Sequence, residues 1–185
     1  MQRLRDKYIR EVIPAMEKQF GFTNAMAVPR LLKVVLNSGT GKALKDEKYL
    51  DAVVSTLQRI SGQKPVMTKA KKSISAFKIR AGMTIGVMVT LRGTRMYDFI
   101  DKLINVTLAR VRDFQGLERS AVDHHGNFSV GFKEHIVFPE IRSDEIERIH
   151  GLQVNISTSA KTQAEGVALM SFLGFPFKKE VLAKK

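Results

Sequence analysis

An α+β fold is predicted for this chain: an antiparallel sheet with helices packed on one face, the other face open, and a long basic hairpin loop. Three observations predict it. Apolar side chains recurring every three to four residues mark several helices. Elsewhere they alternate with polar ones, as in strands that bury one face and leave the other wet, rather than forming the uniformly apolar runs of a parallel sheet. Short Gly- or Pro-containing turns separate the two kinds of segment.

Each element follows from its own pattern. Leu4, Tyr8, Val12, Met16 and Phe20 predict a helix over 2–20 that stops at Gly21, with Pro14 imposing a kink or a division into two. A strand is expected over 30–37, between Pro29 and Ser38-Gly-Thr-Gly41. Its alternation turns Leu32, Val34 and Leu36 inward and Lys33, Val35 and Asn37 outward. A helix over 46–61 carries Leu50, Val53, Val54, Leu57 and Ile60 on one stripe, with Gly62 behind it.

A short strand at 66–68 leads into a basic excursion, and a strand over 84–92 returns from it. In the latter Ile85, Val87, Val89 and Leu91 face inward, while Thr84, Gly86, Met88, Thr90 and Arg92 face the other way. The pair reads as a hairpin whose tip leaves the body. A helix over 95–114 carries Tyr97, Ile100, Ile104, Leu108 and Val111. Strands follow at 128–132 and 152–157, and a last helix opens on the capping box Thr162-Gln-Ala-Glu165 and ends at Gly174.

Composition limits the function. The 185 residues carry 31 Lys+Arg against 18 Asp+Glu, a formal charge of +13, and are 44% hydrophobic, enough for a buried core. No run approaches the roughly 18 apolar residues of a membrane span, and no signal-type stretch follows Met1, so a soluble intracellular protein without a membrane role is expected. The absence of cysteine excludes disulfides, Cys–zinc sites and thiol catalysis. Residues 1–51 hold ten basic and six acidic side chains, 52–97 hold nine basic and none acidic, and 98–185 hold twelve of each.

The excess charge requires a polyanion. It is densest in Lys69-Ala-Lys71-Lys72-Ser73-Ile-Ser75-Ala-Phe-Lys78-Ile-Arg80-Ala-Gly82. A loop built only for solubility would mix signs, whereas cations interleaved with small residues suit a mobile arm that moulds to a phosphate backbone. On the open sheet face, Lys33, Asn37, Thr90 and Arg92 form either an RNA-reading surface or simply solvated strand residues; the pattern alone leaves both open.

Catalytic chemistry is not supported. Ser38-Gly-Thr-Gly-Lys42 has the wrong spacing for a nucleotide-binding loop, and Ala43 stands where the magnesium-holding hydroxyl belongs. A tight turn with amides open to an RNA phosphate is expected there instead. His124, His125, His135 and His150 do not converge at metal-ligand spacing and are expected at the surface or in turns. Asp144, Glu145 and Glu147 read as a solvated turn or a protein contact. No nucleophile–base pair, metal site or cofactor is expected. Most phenylalanines fall at core periods, so no base-stacking platform is evident, which favours recognition of a folded RNA by backbone and shape.

Several segments, in order, carry a resemblance: Leu32-Lys-Val-Val-Leu-Asn37-Ser-Gly, Ile60-Ser-Gly-Gln63-Lys-Pro65, Lys71-Lys-Ser-Ile-Ser-Ala-Phe-Lys78-Ile-Arg80-Ala-Gly82, Gly86-Val-Met-Val-Thr-Leu-Arg-Gly93, Arg110-Val-Arg-Asp-Phe-Gln-Gly116, Gly126-Asn-Phe-Ser-Val-Gly-Phe132 and Phe172-Leu-Gly-Phe-Pro-Phe-Lys-Lys179. The chain resembles the bacterial ribosomal protein L5 family, which binds 5S rRNA, over residues 1–179, with 180–185 as a tail. The resemblance implies one 5S rRNA-binding domain with 69–83 protruding, in the central protuberance of the large subunit. It implies sheet-face RNA contacts at Asn37, Gln63 and Thr90, and a loop that reaches the P-site tRNA. The implied partners are 5S rRNA, 23S rRNA, the P-site tRNA, other central-protuberance proteins and ribosomal protein S13 of the small-subunit head. A regulatory RNA binder acting off the ribosome is the alternative.

Overall fold

The computed structural model describes residues 3–41, 47–141 and 149–178. Five strands form one antiparallel sheet: β1 (Leu31–Gly39), β2 (Val66–Lys69), β3 (Thr84–Leu91), β4 (Phe128–Phe132) and β5 (Leu152–Thr158), ordered β2-β3-β1-β5-β4. The α-helices are α1 (Arg3–Lys7), α2 (Ile13–Phe20), α3 (Glu47–Ser61), α4 (Gly93–Lys102) and α5 (Gln163–Leu173), which makes the fold α+β as expected. Contacts cluster into two compact units. One comprises the described residues up to Lys33, Arg92–Ser129 and those from Ile156 on; the other comprises Val34–Leu91 and Val130–Asn155, with the undescribed stretches left aside. The divisions fall inside β1, β4 and β5.

In the first unit the expected stripe is present over Leu4, Tyr8, Val12 and Met16, all buried, while Phe20 at its end is half-buried. The division at Pro14 takes the form of a π turn, Tyr8–Val12, in which Ile13 N–H donates to Tyr8 O. Proline lacks an N–H and crowds the carbonyl four residues back, and the wider turn ahead of it relieves that crowding. Tyr8 Oη donates to Pro29 O at 3.0 Å, and burial raises its pKa to about 12.

The third helix is shorter than expected. After α4 it widens into a second π turn, Leu103–Thr107, tightens at Leu108–Arg110 and ends where Val111 turns extended. The buried stripe runs through Met96, Phe99, Ile100, Leu103, Thr107 and Leu108, one position off the expected line at Tyr97 and Ile104, which with Val111 are half-buried. Helix α5 is capped as its sequence predicts, Thr162 Oγ1 accepting from Glu165 N–H, although Glu165 reaches back to Lys161 N–H rather than to the cap residue itself. It packs close to the turn before β4: a Cβ on Gly166 would lie 2.5 Å from Gly126 Cα.

In the second unit α3 packs on β3. Its buried stripe is Tyr49, Val53, Leu57 and Ile60; Leu50 and Val54, expected inward, are half-buried, one position off the line. Strand β1 runs two residues further than expected. Gly39 pairs with Gly86, and Thr40 N–H donates to Ile85 O at 3.0 Å. Ser38 and Gly39 are strand and the Thr40 amide is spent on β3, so the expected phosphate-facing turn at 38–41 is not formed; Lys42 lies outside the described residues. Among the described residues no helix is long and apolar enough to cross a membrane.

Candidate nucleic-acid interface

The sheet face of the second unit is set by register. β1 and β3 pair antiparallel with Val35 opposite Thr90 and Asn37 opposite Met88, and β2 continues the rows with Val66 opposite Met88 and Thr68 opposite Gly86. Inward, Val34, Leu36, Val87, Val89 and Leu91 are buried. Outward, Val35, Asn37, Met88 and Thr90 are half-buried and Val66 is exposed, so this face is neither sealed in the core nor fully solvated.

Asn37 and Thr90 lie diagonally across the β1–β3 pair, near enough to meet one ligand. Asn37 makes no side-chain hydrogen bond to another described residue. Thr68 leans over Gly86, where an added Cβ would stand 2.8 Å from its Oγ1. Met88 is outward as its alternation in the strand predicts, whereas the sequence pattern missed Thr68 and Val66 as members of this face because only the β2–β3 register places them there.

Three expected positions differ. Gln63 is not on the sheet. It follows Gly62 (φ +64) in the turn between α3 and β2, beside an open cleft of about 540 Å³ lined by Asp51, Ser55, Gln58, Arg59 and Lys64. Its N–H donates to Ser61 Oγ at 3.2 Å, which ties the turn to the helix end. Leu32 is exposed rather than inward, because pairing of β1 with β3 starts only at Val34 and alternation breaks between buried Leu31 and buried Val34. Arg92 lies past the end of β3 and caps α4 through its backbone, with an exposed side chain. Both Arg92 and the half-buried Lys33 fall in the first unit. There a cleft of about 450 Å³ is lined by Arg5, Arg30, Leu32, Gly93, Thr94 and Tyr97.

The basic excursion is a hydrogen-bonded hairpin, not a loose arm. Ala70 N–H donates to Met83 O and Gly82 N–H to Ala70 O, at 2.8 and 2.9 Å. Farther out, Ile74 and Ile79 exchange backbone bonds of 2.9 and 3.1 Å, and Ser73 Oγ accepts from Ala81 N–H. Ser75–Phe77 form a 3-10 turn closed by Lys78, whose φ is +55. Lys69, Lys71, Lys72, Ser73, Ser75, Lys78 and Arg80 are all exposed. Lys71, Lys72, Lys78 and Arg80 make no ion pair with a described residue, so their charge stays available to a polyanion.

Two of the four histidines depart from expectation. His124 and His125 sit in an exposed turn where Asp123 Oδ1 accepts from His125 N–H and Asn127 N–H. His135 and His150 are instead 3% exposed and stacked, with centroids 4.0 Å apart and planes 3° from parallel. His135 N–H donates to His150 O, and His150 N–H donates to His135 Nδ1. Burial holds both pKa values down, that of His150 to about 4, with His135 as its second cause. The inner face of β1 supplies Ser38, whose Oγ donates to Gly151 O at 2.8 Å and lies 3.4 Å from His150 Nδ1. Asp144, Glu145 and Glu147 lie outside the described residues.

Comparison with known proteins gives the family. Residues 24–80 match the model of "Ribosomal protein L5", and residues 84–177 match the model of the C-terminus of the same ribosomal family. The protein named "Large ribosomal subunit protein uL5" from Desulfatibacillum aliphaticivorans is 54% identical over 179 residues, covering 97% of this chain and 100% of the relative. Relatives of the same name from Herpetosiphon aurantiacus and Carboxydothermus hydrogenoformans are each 52% identical, over 96% of this chain and 99% of theirs.

Proposed function

This chain belongs to the ribosomal protein L5 family and is a structural, non-enzymatic constituent of the large ribosomal subunit, and from that premise we propose that its two basic surfaces dock onto different RNAs. The open face around Asn37 and Thr90, with the Gln63 turn, takes 5S rRNA, and Lys33 and Arg92 add contacts to the same RNA. The protein thereby helps fix 5S rRNA to the large subunit in the central protuberance, against 23S rRNA and neighbouring proteins. The hairpin, through Lys69, Lys71, Lys72, Ser73, Ser75, Lys78 and Arg80, meets the P-site tRNA. The charge-balanced half bridges to ribosomal protein S13 of the small-subunit head. Residues 1–179 are read as one domain with 69–83 protruding; residues 180–185, read as a tail, lie outside the described residues.

The observation that carries this reading is the placement of one carboxylate-free stretch, residues 52–97. It supplies the Thr68, Met88 and Thr90 side of a half-covered sheet face that Asn37 of β1 completes, and, separately, the exposed Lys71, Lys72, Lys78 and Arg80, which have no acidic partner among the described residues. Affinity then comes from counterion release and selectivity from small polar groups matched to RNA shape. Flexible cations on a hydrogen-bonded hairpin suit a partner of changing sequence, because phosphate contacts position without reading bases.

Footprinting and binding on 5S rRNA test the division of labour. Asn37→Ala and Thr90→Ala are each expected to cost roughly 1–3 kcal/mol of 5S affinity by leaving RNA groups unpaired. Neutralising Lys71, Lys72 and Lys78 together is expected to leave that affinity nearly intact while weakening tRNA in the P site. A large loss of 5S binding from the triple change, with none from the sheet-face changes, would mean that the two surfaces are exchanged.

A further inference from the structure

Phe77 stands apart from the other phenylalanines, all of which are buried or half-buried. Phe99, Phe128, Phe132, Phe138 and Phe175 are buried, whereas Phe77 is 67% exposed at the outer turn of the hairpin. It has no ring contact with another described residue. The turn that carries it is fixed: Lys78 N–H closes onto Ser75 O at 3.0 Å, Lys78 takes the left-handed conformation that side chains rarely adopt, and Ile74 and Ile79 clamp the base. The ring is therefore presented outward on a short rigid support, and Ile74 beside it is 45% exposed.

A phenyl ring left in water forgoes the free energy of burial, and a partner that covers it recovers that free energy. The partner's chemistry is set by the surroundings. Lys71, Lys72, Lys78 and Arg80 share the same loop, with no carboxylate from residue 52 to 97, so the covering surface is a polyanion. A polyanion that also offers flat apolar faces is a nucleic acid. Inside a helical stem those faces are stacked away, so only an unpaired base or the last base of a stack is open to the ring.

We infer that Phe77 stacks on an unpaired or stack-terminating base of the RNA that the loop cations grip. The contact rests on the reading of the hairpin as an RNA surface and adds a salt-insensitive component to it. Electrostatic contacts weaken as salt rises, whereas ring-on-base stacking does not release counterions.

The chain contains no tryptophan, so Phe77→Trp places its only indole at the turn. Titrating that full-length variant with deacylated tRNA is expected to quench the indole emission in step with binding. Phe77→Ala is expected to lose about 5- to 150-fold in tRNA affinity with an unchanged slope of log K against log salt, the range that base stacking supports. Tyr or Trp at this position should bind like the parent, and Phe77→Leu should bind like Phe77→Ala.

Leu behaving like the parent would reduce the contact to apolar cover and overturn stacking. So would tRNA binding without quenching, or an Ala variant indistinguishable from the parent. The Lys71, Lys72, Lys78 triple variant separates the two levels. If it weakens tRNA binding and flattens the salt slope while Phe77→Ala does nothing, stacking fails and the RNA reading of the loop stands; if neither change matters, both fail.

Discussion

His135 accepts a backbone hydrogen bond on Nδ1, so that nitrogen must be unprotonated in the folded chain. Both rings of the stacked pair have pKa values held below the usual histidine value of about 6.5, first by burial. The unfolded chain therefore binds protons that the native state refuses as pH falls from above 6.5 toward 4. The pair's contribution is whole above the unfolded value and is lost on acidification. The urea midpoint is expected to drop between pH 7 and pH 5, and to drop less in His150→Gln; equal drops in the two proteins would remove the pair as the cause. No spacing rule could have found this contact. The histidines are fifteen residues apart, and their stack depends on Ser38 and Tyr49 brought from other elements.

At the scale of elements, helix and strand periods were legible wherever one residue type dominated a face. Leu4, Tyr8, Val12 and Met16 predicted their helix, and Phe128 and Phe132 their strand. Errors came where the buried line ran one position off the expected one, at Tyr97 and Ile104 in the third helix and at Leu50 and Val54 in α3, and where the late start of β1–β3 pairing exposed Leu32.

Close approach of elements was also invisible in the sequence. A Cβ on Gly166 would meet Gly126 Cα at 2.5 Å and Gly126 O at 2.7 Å, both of them backbone. Gly166→Ala is expected to destabilise the protein by roughly 1–3 kcal/mol despite the better helix propensity of alanine. Denaturant unfolding reads this directly, and a stabilised variant would mean that α5 and the turn are free to separate.

For the molecule as a whole, the question is whether the excess of positive charge serves the ribosome or a free RNA binder. A chain holding RNA through several surfaces and protein neighbours is expected to remain with large subunits through a high-salt wash. A binder held by phosphate contacts alone would be stripped, since such affinity falls about 10³–10⁵-fold over a modest rise in salt. Cofractionation of the full-length chain before and after the wash checks this, and loss into the supernatant favours the regulatory alternative.

By itself the sequence determined what short-range chemistry controls. The fold class, most element positions, the exclusion of thiol chemistry and the carboxylate-free block are written in residue types and their spacing. So were Asn37 and Thr90 as outward residues, because side chains alternate along a strand whatever its neighbours. Tertiary structure alone decided which outward residues share a face, that Gln63 sits on a turn beside the sheet, that Ser38 and Gly39 extend a strand, and that His135 meets His150. It also turned a basic stretch into a rigid hairpin with Phe77 at its end. Those outcomes depend on register and on contacts between residues far apart in the chain, which local periodicity does not encode.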